Sequence, residues 1–316
     1  MNGGSFVLNI LILGVPFSVA LLLAGLGETI NQRAGVFNLG CEGIMAMGAF
    51  VAFLPPYFLA GTSLAGSANL IGLALAMVVG TVLGLLFALV VVTFRAPQGI
   101  AGIGLQMLGW GIAGTLFRHY VGGVTGVPGI APMPIPVLSK IPVLGQVLFN
   151  HNPLVYIAFL LVPVFWYILF KTPWGLKVRA VGTYPRAADS LGIRVARVRY
   201  QALALGGAMA GLAGAYLSLA QAKMFADDLV AGRGFIAVAL VYFGRWHPVG
   251  VMLGALLFSL AQALQLSIQV AGIDFPYEFA VMLPYVLVIV VLALVRKARM
   301  VGPTELGKPF DREQRV

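Results

Sequence analysis

Apolar runs of about 20 residues return along this chain, each long enough to cross a hydrocarbon layer about 30 Å thick as a helix. They fall at 6–26, 37–59, 70–94, 99–117, 153–170, 200–221, 229–243, 249–271 and 277–295. Leu, Ala, Val and Gly dominate them, with no period-two alternation, which selects helices over a barrel. The whole chain is 60% apolar and 9% charged, with mean hydropathy +0.98. A soluble domain needs about 25% charged residues. This chain therefore requires lipid as solvent, and lipid forces backbone hydrogen bonds to close within each helix. The expectation is an all-α, polytopic transmembrane helix bundle of about nine spans. The 229–243 run is short for a crossing, so counts of about eight to ten are open.

The net charge of +10 sits in the connections, where basic residues set orientation, and not on a face that nucleic acid would read. The 171–199 connection holds Lys171, Lys177, Arg179, Arg186, Arg194, Arg197 and Arg199 against one acid, Asp189. Arg296, Lys297 and Arg299 follow the final run. Both regions are expected on the cytoplasmic side of the inner (plasma) membrane, together with Arg95 and Arg245. The Gly/Pro-rich stretch 119–152, the uncharged loop 60–69 and the N-terminus are then outside. The chain divides into a membrane domain, 1–295, and a polar cytoplasmic tail, 296–316, whose stretch 302–309 is expected to be disordered. Residues 1–5 lack Lys and Arg, so no cleavable signal peptide is expected. The lone Cys41 excludes an intramolecular disulfide and reads as a small packed residue.

Two segments break the apolar pattern. Residues 27–43 place Glu28, Asn31, Arg33, Asn38 and Glu42 among apolar neighbours, and 231–250 is interrupted by Gly232, Gly234, Gly244 and Pro248. Short or Gly-interrupted segments in both halves of a membrane protein point to inverted repeats and broken helices beside a substrate path. Gly80/Gly84, Gly207/Gly211 and Gly250/Gly254 have the spacing that lets helices approach closely.

Within the basic connection, Thr183 suits a helix cap, Pro185 its first turn and Gly192 its end. The resulting two-turn helix would carry Tyr184, Ala187, Ala188 and Leu191 on one face. Two readings fit: a helix seated in a groove of a soluble partner, or a basic loop resting on anionic headgroups.

The run Gly182-Thr183-Tyr184-Pro185-Arg186-Ala187-Ala188-Asp189-Ser190-Leu191-Gly192-Ile193 resembles the cytoplasmic coupling loop of ATP-binding-cassette (ABC) importer permeases of the branched-chain amino acid/ribose type. Arg33-Ala34-Gly35-Val36-Phe37-Asn38-Leu39-Gly40, with Glu42-Gly43-Ile44-Met45, is similar to an early element of the nucleoside/simple-sugar subgroup. Gly232 to Ala239, followed by Gly244-Arg245-Trp246 and Pro248, resembles its late half-helix and turn. Gln32 departs from the acidic residue common at its position, and Cys41 from an aliphatic one.

This resemblance implies an inverted-repeat permease architecture and contact between Tyr184, Pro185, Arg186, Ala187, Ala188, Leu191, Gly192 and an ATPase subunit. It implies further partners: a second permease subunit, expected to be a paralogue, and an extracytoplasmic solute-binding lipoprotein. ATP and Mg would be bound by the ATPase subunits, and no cofactor by this chain. Asn38, Glu42, Gly234 and Phe235 would lie near the translocation path of a nucleoside or, second, a simple sugar. A buried Glu is a functional candidate because its charge is costly in lipid, but Glu42 could equally pair with Arg33 or cap a broken helix. Gln106 and Trp110, one helical turn apart, could meet a sugar or base by hydrogen bond and stacking, or Trp110 could simply pack.

An ion-coupled secondary transporter is the alternative, and few acids lie within the runs to serve it: Glu42, with Asp274 and Glu278 near a helix end. A membrane enzyme would need a nucleophile–base set or metal ligands, and none is visible. His119, His151 and His247 lack metal spacing. Gly302-Pro303-Thr304-Glu305-Leu306-Gly307-Lys308-Pro309 mimics a phosphate loop, but Pro309 stands where a Ser or Thr would hold Mg.

Overall fold

The computed structural model describes residues 3–136, 138–270, 278–279, 282–286, 289–290 and 302–311. Its elements are helices: α1 (Gly3–Arg33), α2 (Cys41–Phe58), α3 (Ala68–Ala88), α4 (Gln98–Tyr120), α5 (Leu144–Leu148), α6 (Pro153–Lys171), α7 (Pro173–Thr183), α8 (Pro185–Ser190), α9 (Val195–Tyr216), α10 (Arg233–Phe243) and α11 (Pro248–Val270). Among the described residues, seven helices are long and apolar enough to cross a membrane, and α10 is a shorter apolar helix. The expected span over 229–243 is thus a half-helix. The run at 277–295, with Asp274 before it, lies largely outside the described residues.

α9 is the axis of the bundle, with every residue from Gly206 to Tyr216 buried. Small residues explain how other helices reach it. Gly72, Ala76, Gly80 and Gly84 recur every four residues and share one buried face of α3. A Cβ on Gly80 would collide with the Gly207 carbonyl, and one on Gly211 with the Ala76 carbonyl. The glycine pairs of α3 and α9 therefore form one close crossing, the kind of approach that the spacing of each pair allows. α2 packs on the same axis, where Gly48 meets Gly211 and Gly214 meets the Met45 carbonyl. The outward face of α3 carries exposed Leu70, Met77, Val78, Val82 and Leu85, which suits a lipid-facing surface.

α1 and α11 form the second flank of the bundle, with α6 laid against both. At about 1.5 Å per residue, α1 is about 46 Å long, more than the hydrocarbon layer, and continues well past the 6–26 run. Its extra turns carry Glu28, Asn31, Gln32 and Arg33.

The ends of the bundle are held differently. At one end the 119–152 stretch folds onto the segment after α9. Val127 and Ile130 donate backbone N–H groups to the Lys223 and Leu219 carbonyls, both at 2.9 Å, and Arg118 pairs with Asp227 at 2.5 Å. At the opposite end of α4, Arg95 pairs with Asp311 at 2.7 Å. The basic residues of the 171–199 connection, Arg95 and residues 302–311 thus share one end, the grouping that the charge pattern predicts. Residues 302–311 are docked and hydrogen-bonded there, which corrects the expectation of a disordered tail.

Candidate functional site

Both irregular segments fold toward one place. After Arg33 the chain turns through Gly35, at φ 84°, and climbs back beside α1. The Asn38 N–H donates to Glu28 Oε1 at 2.9 Å. Glu28 precedes the end of α1 by five residues, so the chain has re-entered the bundle by about 7 Å before α2 begins. α2 is therefore a helix whose N-terminus starts below the surface of the protein.

α10 starts the same way. Ala231 and Gly232 both have left-handed backbone, at φ 48° and 80°, and Arg245 and Trp246, after the helix, repeat it at 54° and 53°. Non-glycine residues there cost of order 1–3 kcal/mol each, so the surrounding contacts must fix both ends. Glu42, in the first turn of α2, supplies that fixing at the start. Its carboxylate accepts the Gly232 N–H at 2.7 Å and the Gly234 N–H at 2.5 Å. A helix N-terminus leaves orphan N–H groups and a partial positive charge, and Glu42 satisfies both needs from another helix. Gly234 is required because a Cβ would meet the Glu42 backbone at 2.5 Å.

The far end of α10 is tied to α1. Trp246 Nε1 donates to Gln32 Oε1 at 2.8 Å, Gln32 Nε2 to the Val238 carbonyl at 3.2 Å, and Arg33 Nε to the Trp246 carbonyl at 2.9 Å. Glu28 anchors this cluster, accepting from Asn31 Nδ2 at 2.9 Å as well as from Asn38. His247, in the turn after α10, is held below its ordinary pKa by burial and then by the Arg33 charge.

The candidates named from the sequence separate into buried and exposed sets. Asn38, Glu42, Gln106 and Gly234 are buried. Asn38 Oδ1 accepts the Gly40 N–H at 2.9 Å and so shapes the turn into α2. Of the alternatives open for Glu42, the geometry is the cap, since Arg33 is engaged with Trp246. Gln106 lies against Gly43, where a Cβ would meet its Cα at 2.6 Å. Trp110 and Phe235 are exposed, at 43% and 37%. Phe235 shares the outer face of α10 with Ala239 and Tyr242. Behind α10, a cavity of about 140 Å³ is lined by Arg233, Phe258, Gln262, Gln265 and Tyr285. Among the described residues no cluster of His, Cys, Asp or Glu could hold a metal ion.

The basic connection forms α7 and α8, and three details differ from expectation. Thr183 ends α7 and bonds back to the Arg179 carbonyl at 2.9 Å instead of capping α8. Tyr184 takes the capping position without a side-chain bond, and Pro185 and Gly192, at φ 82°, start and stop the helix as predicted. Ala188 is buried, at 3%, whereas Tyr184 and Leu191 are 68% and 82% exposed and Ala187 and Arg186 face out with them. Pro185 and Ala188 therefore seat α8 on the bundle.

Sequence reasoning undervalued Glu28, Gln32 and Trp246. The signal available was the density of polar residues in the last turns of α1, which an isolated span would not tolerate.

Discontinuous helices meeting inside a lipid-solvated bundle define a membrane transport protein, of the kind whose substrate path runs by broken helices. The chain belongs to the family described as the branched-chain amino acid transport system / permease component, whose model matches residues 8–292. That family is one of ABC transporter permeases, which are not themselves enzymes. The chain is 37% identical to the guanosine ABC transporter permease protein NupQ of Bacillus subtilis (strain 168), over 98% of this chain and 99% of that protein. It is 35% identical to a putative glucose ABC transporter permease protein of Haloferax volcanii, again over 98% and 99%. It is 34% identical to the nucleoside ABC transporter permease protein NupC of Lactococcus lactis subsp. cremoris, over 91% of each. No solved structure matches the chain.

Proposed function

We propose that this chain forms the translocation path of an ATP-driven importer and that its solute is a nucleoside. The observation that carries this reading is the meeting of α2 and α10 at Glu42, with the exposed ring of Phe235 one residue beyond the capped Gly234. Phe235 and Tyr242 on α10, with Trp110 on α4, offer aromatic faces of the kind that stack on a base. Glu42 does not bind solute in this reading. It holds α10 in place, and Asn38 and Gln106 support the same junction.

Transport requires partners. Tyr184, Arg186, Ala187 and Leu191 present the surface for the ATPase subunit, and Pro185, Ala188 and Gly192 hold that surface in shape. ATP and Mg belong to the ATPase subunits. A second permease subunit completes the path, and an extracytoplasmic lipoprotein delivers solute at the end bearing residues 119–152. The end bearing α8 and residues 302–311 faces the cytoplasm of a cell whose inner membrane the bundle spans. Closure of the ATPase dimer would then bias the bundle between its outward- and inward-facing states.

A simple sugar is the second reading, because a relative at 35% identity is named for glucose. Labelled guanosine uptake into proteoliposomes holding the full complex distinguishes the two. Excess unlabelled nucleoside is expected to suppress it and excess glucose to leave it unchanged; the reverse would replace the nucleoside by the sugar. Phe235→Ala is expected to raise the apparent KM at least ~10-fold, the loss of about 1.4 kcal/mol of stacking, without lowering the yield of folded protein. An unchanged KM would remove Phe235 from the path.

A further inference from the structure

The segment Gly302–Asp311 is held more tightly than a tail needs to be. Its Glu305 N–H donates to the Gly182 carbonyl at 3.1 Å and its Gly307 N–H to the Gly35 carbonyl at 3.2 Å. Thr304 Oγ1 donates to the Thr183 carbonyl, and buried Arg199 reaches the Lys308 carbonyl through Nη1 at 3.3 Å. Gly302 lies against the Trp246 ring, where a Cβ would come within 2.5 Å, and Asp311 closes the segment by its pair with Arg95. Five separate parts of the bundle are thereby joined: the turn after α1, the end of α7, the start of α9, the turn before α4 and the turn after α10. Ordering each residue costs about 1–2 kcal/mol of backbone entropy, which a merely trailing peptide would not recover.

What this segment builds is a cleft. Pro309, Phe310 and Asp311 stand on one side, and Tyr184, Arg186 and Ala187 on the other, around a volume of about 460 Å³. The cleft is continuous with the exposed face of α8. Glu305 also lines it, and the same segment reaches, through Gly307 and Gly302, Gly35 and Trp246 in the turns that bracket Asn38 and α10.

We propose that residues 302–311 are the second wall of the ATPase docking site, so that the ATPase subunit seats between this segment and α8. The proposal rests on the reading of α8 as the coupling surface. An element inserted in the cleft would bear on α8 and, through the segment's backbone bonds, on the turns at both ends of the half-helix pair. Displacement of α8 alone would lack that second route.

Photo-crosslinking in the assembled transporter tests this directly, with a benzophenone amino acid placed at Pro309 or, separately, at Leu191. Both positions are expected to crosslink to the ATPase subunit. Crosslinking from Leu191 but not Pro309 would overturn the docking wall and leave the coupling role of α8 standing. Crosslinking from neither would sink the coupling role itself. Pro309 adducts only to lipid or to a second permease would equally refute the proposal. As an independent arm, Asp311→Arg is expected to lower ATPase retention on the solubilised permease at least ~10-fold, a loss of about 1.4 kcal/mol. Combining it with Arg95→Glu should restore retention, whereas full retention in the single variant would contradict the proposal.

Discussion

Replacing Glu42 by leucine is expected to reduce uptake to less than about a tenth of the wild-type rate and to lower the melting temperature of the detergent-solubilised protein. The cause is local. The Gly232 and Gly234 N–H groups at the start of α10 have Glu42 as their acceptor, and the carboxylate lies where water does not replace it. Each buried donor left unsatisfied costs about 1–3 kcal/mol, and the helix-dipole interaction is lost as well. Glu42→Gln keeps one acceptor oxygen and should fall between leucine and wild type. Uptake and melting measured on the same preparations check this, and a leucine variant that transports normally would show that α10 needs no cap from α2.

A larger loss of folded protein is expected from Gly211→Leu. At this position α9 touches α3 and α2 at once: a side chain would enter the Ala76 carbonyl, and a Cβ on Gly48 already points at the Gly211 backbone. Backbone atoms of packed helices cannot step aside as a flexible side chain can, so overpacking here should exceed the ~1–3 kcal/mol typical of cores. The control is Gly104→Leu on α4, where a Cβ meets nothing within 4 Å. Size-exclusion profiles should show a monodisperse peak for Gly104→Leu and aggregate for Gly211→Leu. Equal profiles would refute the close crossing.

These variants also mark which features could be read in the sequence. Run length and scarcity of charge are local properties, and they foretold a helical bundle and the end that gathers basic residues. Glycine spacing marked the faces of α3 and α9 that pack closely, because a row of missing side chains is visible without knowing the partner, but it did not say that the two faces meet each other. Pro185 and Gly192 act on their own backbone, so the limits of α8 were legible too. Contacts between distant residues were not. Glu42 and Gly234 are 192 positions apart, and Trp246 and Gln32 are 214 apart, so neither pairing leaves a periodic trace. For the same reason Ala188 and Ala187 looked alike, although one is seated on the bundle and the other faces out. The 302–311 segment read as disorder because its partners are backbone carbonyls and side chains such as Arg95 and Arg199, more than 100 positions away, which no local pattern announces.

The distinction between those two alanines supports the most direct test of the central claim, that this permease is driven through α8 by ATP hydrolysis on a partner. Proteoliposomes containing the permease pair, ATPase subunits and solute-binding lipoprotein should be assayed together for ATP hydrolysis and labelled nucleoside uptake. Wild type is expected to accumulate solute with ATP and not with a non-hydrolysable analogue. Ala187→Trp, at an outward position, should keep its melting temperature while hydrolysis and uptake separate. Uptake that follows an imposed ion gradient without ATP, or full coupling in Ala187→Trp, would contradict the account.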